Sequence, residues 1–167
     1  MIINDTVVMS DVVVEPIDPA SDEAIAWSAA LWAEIQRRYD FVAPDPYDAA
    51  SITTPGSAFW VARIEGSGAG SIALARSAGS TTAELDVLYV APDHRRRGVA
   101  SALLTTLLDH AQRTGVHLIR LRAGSPQPEA LAFYGDAGFV PTQPFGRWLE
   151  DPTAVCFALE LPATGRS

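Results

Sequence analysis

The pattern of apolar residues predicts one α/β domain, a mixed sheet with helices on both faces. Three observations carry that expectation. Short β-branched runs separated by Gly and Pro recur through the first half of the chain. An apolar spacing of about four residues sets in after Pro92. Strand-like and helix-like segments then alternate up to a last apolar run at 154–161. A length of 167 residues suits a single domain, 1–167, with a proper core. The closing stretch, 162–167, reads as a loose tail.

Taken in order, residues 12–17 form a β-branched strand stopped by Pro16 and Pro19. Asp22 can cap a helix running to about Arg38, with Ile25, Ala29 and Trp32 on its apolar stripe. Residues 41–55 hold three prolines, which makes them loop with at most one helical turn. Strands at 58–64 and 71–76 flank the glycine-rich 66–70, read as the turn of a hairpin. A longer strand follows at 82–90, completing an antiparallel meander. Val99, Leu103, Leu107 and Ala111 define a core-facing helix that ends near Gly115. A strand at 117–123, a helix at 128–137, a strand from Phe139 and the run at 154–161 complete the series.

Composition excludes several functions. The net charge is -8, which disfavours nucleic-acid binding through a basic surface. All 12 basic residues are arginine, so a phosphate loop or Schiff base that needs lysine is absent. The lone Cys156 sits in an apolar strand and permits no internal disulfide or cysteine metal cluster. His94, His110 and His117 lack ligand-like spacing. No apolar run approaches the roughly 20 residues that span a bilayer, and residues 1–10 lack the pattern of a secretory signal. Cytoplasm is the default location.

The most informative stretch is L-D-V-L-Y-V-A-P-D-H-R-R-R-G-V-A-S-A-L-L, beginning at Leu85. A strand ends at Val90, Arg95, Arg96, Arg97 and Gly98 form a short loop, and a helix starts at Val99. The free N–H groups of a helix start attract anions, and the arginines add charged donors. Gly98 lets the backbone approach a ligand, while Ala100 keeps the second turn free of bulk.

R-R-R-G-V-A resembles the (Arg/Gln)-x-x-Gly-x-(Gly/Ala) motif of the GNAT superfamily of N-acetyltransferases. The preceding A-E-L-D-V-L-Y-V-A-P also resembles that family's fourth strand. Downstream, Q-P-E-A-L-A-F-Y-G-D-A-G-F, beginning at Gln127, is similar to its helix bearing a Phe/Leu-Tyr pair before Gly-Phe. The likeness covers roughly 59–161. It implies a mixed, mostly antiparallel GNAT sheet and acetyl-CoA as cosubstrate, without a metal. The turn comprising Arg95, Arg96, Arg97, Gly98, Val99, Ala100 and Ser101 would then hold the pyrophosphate. Leu88, Tyr89 and Val90, beside a bulge, would line the pantetheine arm and offer backbone N–H groups to the thioester carbonyl. Many members carry asparagine where this chain has Gln127, the position that contacts the CoA arm.

The same resemblance makes Tyr134 the acid that protonates the departing thiolate, a role suited to a phenol of ordinary pKa near 10. Glu84 is the candidate base or water holder for the attacking amine. Strand parity puts Glu84 and Asp86 on one face with Leu88 and Val90, opposite Leu85, Val87 and Tyr89. The implied acceptor is a small-molecule amine or a peptide N-terminus, attacked directly in a ternary complex. Arg37, Arg38, Tyr39, Asp45, Asp48, Trp60 and Trp148 are candidates for its pocket. A homodimer would be in keeping with the family, and neither nucleic acid nor membrane is implied. The alternative is a non-catalytic acyl-CoA sensor of the same fold, which would need neither Tyr134 nor Glu84.

Overall fold

The computed structural model describes residues 2–3, 6–9, 11–124, 126–152 and 154–162. Its strands are β1 (Ile2–Ile3), β2 (Thr6–Met9), β3 (Val12–Ile17), β4 (Ala58–Ile64), β5 (Ser67–Arg76), β6 (Thr82–Val90), β7 (Leu118–Gly124), β8 (Val140–Thr142) and β9 (Ala154–Glu160). The helices are α1 (Asp22–Tyr39), α2 (Val99–Arg113) and α3 (Pro128–Asp136). Short 3-10 turns lie at Ala49–Ile52, Pro92–His94 and Gly146–Trp148.

The strands form one sheet in the order β1-β2-β3-β4-β5-β6-β7-β9-β8. Neighbours run antiparallel, apart from the parallel pair β6 and β7. Each face carries its own apolar cluster. Phe59, Val61, Ala73 and Val87 pack with Ala24 of α1. On the opposite face Trp60, Ile72, Leu74, Leu85 and Ile119 pack with Leu103 and Leu107 of α2 and Tyr134 of α3. The expected layers are therefore present, with helices on both faces.

Several local expectations need correction. Ser21 caps α1, its hydroxyl accepting from the Ala24 N–H at 3.2 Å, while Asp22 and Glu23 follow as first-turn acids. The β4–β5 turn is Glu65–Gly66, both at positive φ, as a two-residue hairpin turn requires. Gly68 and Gly70 thus lie in β5. A Cβ at Gly68 would come within 2.7 Å of the Trp27 ring, and one at Gly70 within 2.6 Å of the Tyr89 carbonyl. These glycines serve close approach. An additional hairpin, β1 and β2, precedes β3. Residues 163–167, most of the expected tail, lie outside those described.

Two irregularities in β6 create the site. Ser71 pairs with Tyr89 and Ala73 with Asp86, so Ile72 alone faces both Val87 and Leu88. This is a β-bulge, with Val87 at φ 53°. At the start of the strand, β6 pairs with β7 only from Thr82 to Glu84, opposite Leu118 to Arg120. Beyond Glu84 the two strands part.

Candidate functional site

The gap between β6 and β7 opens into a cleft of about 1720 Å³ that α1 and the 45–54 loop also line. That exceeds the roughly 300–1,000 Å³ of ordinary small-ligand sites. It reaches from the start of α2 past Tyr134 to Glu84 and the Gly146–Trp148 turn.

At one end, α2 begins on Gly98, held at φ 79° with no side-chain cap and no acid in the first turn. The first helical bond runs from the Ala102 N–H to the Gly98 carbonyl at 3.0 Å, so the preceding N–H groups lack helical acceptors. Gly98, Val99, Ala100 and Ser101 all border the cleft, and a Cβ at Gly98 would meet nothing within 4 Å. Uncapped donors at a positive dipole end suit a phosphate group.

The three arginines diverge. Arg95 donates to Glu34 Oε1 at 2.7 Å and to the Val90 carbonyl at 2.9 Å, and lies 5.7 Å above the Tyr89 ring. Arg96 borders the cleft and has no ion pair among the described residues. Arg97 turns away to Asp11, at 3.3 Å, and does not line the cleft.

The strand edge facing this turn is open. The Ala91 N–H bonds to Ala69 on the β5 side at 2.9 Å. Alternation therefore directs the polar backbone groups of Val90 and Leu88 to the opposite edge, where the Val90 carbonyl meets Arg95. The bulge also corrects the expected parity. Leu88 and Val90 pack on the α2 side, whereas Val87 joins the α1-side cluster and the Tyr89 ring lies 6.1 Å from Trp27. Glu84 and Asp86 thus share their face with Tyr89.

Burial pushes the Glu84 carboxyl above its ordinary range; Arg147 opposes this and Asp86 reinforces it. Burial also raises the Asp86 carboxyl, against the Val87 N–H that donates to it at 2.8 Å. Arg147 Nη2 lies 3.4 Å from Glu84 and 4.0 Å from Asp86.

Across the cleft, Tyr134 is only 6% exposed, between Phe133, Phe139 and Phe157. Burial, with a smaller effect of Asp86, lifts its phenol well above the ordinary range, so it keeps its proton through neutral pH. Gln127 precedes α3 and accepts from the Tyr39 hydroxyl at 3.1 Å. Arg122 donates to that same hydroxyl at 2.9 Å and to Asp151 at 2.8 Å.

Of the acceptor-pocket candidates, Arg38, Tyr39, Asp45, Asp48 and Trp148 line the cleft, while Arg37 does not. Trp60 is buried on the α2 face with its ring 5.1 Å from His110. Ser28, Tyr47, Arg120 and Arg122 also line it and were missed. Arg120 and Arg122 alternate with core residues in β7, a signal available from parity alone. Among the described residues no group of His, Cys, Asp or Glu could hold a metal, and no helix is long and apolar enough to cross a membrane.

A parallel strand pair, one strand bulged, that parts beside an uncapped helix start is the arrangement of the acyl-CoA N-acyltransferase fold. Residues 25–139 match the acetyltransferase (GNAT) family, and the chain belongs to that family. The match begins in α1, earlier than the resemblance read from residue 59 onward. N-acetyltransferase 8 of Homo sapiens is 36% identical over 91 residues, 52% of this chain and 40% of that protein. The chain spans about half the length or less of the first curated relatives that it matches. A candidate acyl-CoA N-acyltransferase from Klebsiella pneumoniae superposes with a TM-score of 0.74 at 25% identity, covering 89% of this chain and 96% of its own. A Salmonella typhimurium structure solved with its cofactor acetyl-CoA gives 0.62 at 22% identity, covering 92% and 95%.

Proposed function

We propose that this chain is an acetyl-CoA-dependent N-acetyltransferase acting as one domain, with a primary amine as acceptor. The carrying observation is the split between β6 and β7, which opens one continuous cleft from the α2 N-terminus to the Glu84–Asp86 pair. The uncapped N–H groups at 98–101, together with Arg96, fit the diphosphate of acetyl-CoA. Arg95 contributes by fixing the turn to β6 and α1. The open edge at Leu88 and Val90 offers N–H donors to the thioester carbonyl, stabilising charge that develops as the amine attacks.

An alkyl ammonium with a pKa of about 10 must lose a proton before it can attack. Glu84, and Asp86 beside it, accept that proton directly or through water. Their raised pKa values bring them nearer to the working range of a general base. Tyr134 remains protonated and delivers its proton to the departing CoA sulfur. Both substrates occupy the cleft together, and the amine attacks directly. A cytoplasmic enzyme is the setting we infer.

Calorimetric titration with acetyl-CoA, followed by a thiol-release assay over an amine panel, tests the reading. Binding with amine-dependent thiol release is the expected outcome. Absence of acetyl-CoA binding contradicts it.

A further inference from the structure

Resting on this acetyl-transfer reading, we infer that the acceptor is an α-amino acid whose carboxylate is held by Arg120 while its amine faces Glu84 and Asp86. Arg120, Arg122 and Arg147 line the acceptor end of the cleft. Arg122 is bound to Asp151 and Tyr39. Arg147 lies over Glu84 and Asp86, but its side chain is 63% exposed, so an incoming cation displaces it at little cost.

Arg120 differs from both. It lines the cleft from β7, and among the described residues it has no carboxylate at ion-pair distance. Its Nε is enclosed without a hydrogen-bond partner. The Phe145 ring stacks 4.2 Å from its guanidinium carbon, fixing the plane of the fork. Guanidinium does not deprotonate in proteins, and a half-buried cation with no carboxylate bound to its fork is costly. A planar, preoriented fork matches a carboxylate in particular.

The spacing narrows the class of ligand. Glu84 and Arg120 are direct partners in the parallel register, on neighbouring strands about 4.8 Å apart. Arg120 lowers the Glu84 pKa without forming an ion pair with it. One ligand therefore has to present an amine to the acids and an anion to the arginine within a few ångströms. An α-amino carboxylate does so, whereas a diamine would place its second cation beside Arg120.

In the reaction, the amine nitrogen bonds to the acetyl carbon as the carbon–sulfur bond breaks. The nitrogen's proton passes to Glu84 or Asp86, and the CoA thiolate takes the Tyr134 proton. The products are an N-acetyl amino acid and free CoA.

The test measures kcat/KM by thiol release for each proteinogenic L-amino acid, for its amide and for a straight-chain diamine. The free acids are expected to exceed their amides by about 10- to 100-fold, the range of hydrogen bonds to a charged group. In Arg120→Gln that ratio falls toward one, with the KM for the acid carrying most of the change. Arg120→Lys, which keeps the charge without the fork, falls in between. Acetyl-CoA titration of both variants verifies that they fold. If acetyl-CoA binds the wild type but the amides or the diamine match or surpass the acids, the inference is wrong and the acetyl-CoA reading survives. Failure of acetyl-CoA to bind the wild type overturns both.

Discussion

Asp86 secures the bulge that shapes the cleft: its carboxylate accepts the N–H of Val87 at 2.8 Å, and Val87 is held at φ 53°. A β-branched residue at positive φ costs on the order of 1–3 kcal/mol and persists only when its surroundings impose it. Here Asp86 holds the backbone, and the Val87 side chain, 4% exposed, is packed in the α1-side cluster. The bulge turns Leu88 and Val90 to the α2 side while their backbone faces the open edge.

Asp86→Ala should therefore lower the melting temperature by about 2–4 °C, the equivalent of one lost hydrogen bond of about 1 kcal/mol in a chain of this size. Asp86→Asn keeps an acceptor for the Val87 N–H and should retain most of the stability. Both should reduce kcat/KM by tenfold or more. Thermal melts paired with thiol release separate the structural part from the charge.

Gly98 stands at the start of α2 with φ 79° and free space where a Cβ would project. Gly98→Ala should cost roughly 1–2 kcal/mol of stability from the left-handed backbone. The added methyl would also obstruct the phosphate approach, weakening acetyl-CoA binding about tenfold by calorimetry.

Gly124 tests the other wall of the cleft. A Cβ there would overlap the Tyr39 hydroxyl, which links Arg122 to Gln127. Gly124→Ala should displace Tyr39 and destabilise the protein by about 1–3 kcal/mol, the usual cost of overpacking. Denaturant unfolding would read this, and Tyr39→Phe in the same background should recover part of the loss.

The raised Glu84 pKa sets a sign for the pH dependence of stability. A carboxyl whose folded pKa lies above its unfolded value favours the fold most below the unfolded pKa. That contribution is lost as pH rises through the folded value. Glu84→Gln, which stays neutral, should therefore melt higher than wild type at pH 7 and match it in acid, while its kcat/KM falls sharply. Melting curves across pH check the sign. A variant less stable than wild type at neutral pH would mean that the Arg147 contact outweighs burial.

The regular parts of this fold were legible in the sequence because period is a local property. Val99, Leu103 and Leu107 announced α2, and the β-branched runs announced β3, β4 and β6. The start of α2 was also legible, since Gly98 and the uncapped helix start are consecutive residues. What escaped was non-local. A bulge at Val87 leaves no mark on composition, yet it reverses strand parity, whereas simple alternation puts Leu88 and Val90 on the face of Glu84. The Gly66–Gly70 stretch looked like a turn because nothing nearby announces Trp27 and Tyr89, which press on Gly68 and Gly70. Arg120 and Arg122 read as polar positions of an ordinary strand, and only the divergence of β6 from β7 turns them toward a cleft. Arg97 sits in the same run as Arg96, and the turn geometry alone sends it to Asp11.

The most direct test of the central claim is thiol release from acetyl-CoA by Tyr134→Phe beside wild type, with acetyl-CoA binding measured on both. Loss of the buried phenol should lower kcat by about 10², a typical general-acid contribution, and leave binding nearly unchanged. Unaltered turnover in the variant would contradict the account, leaving Tyr134 a packing residue among Phe133, Phe139 and Phe157.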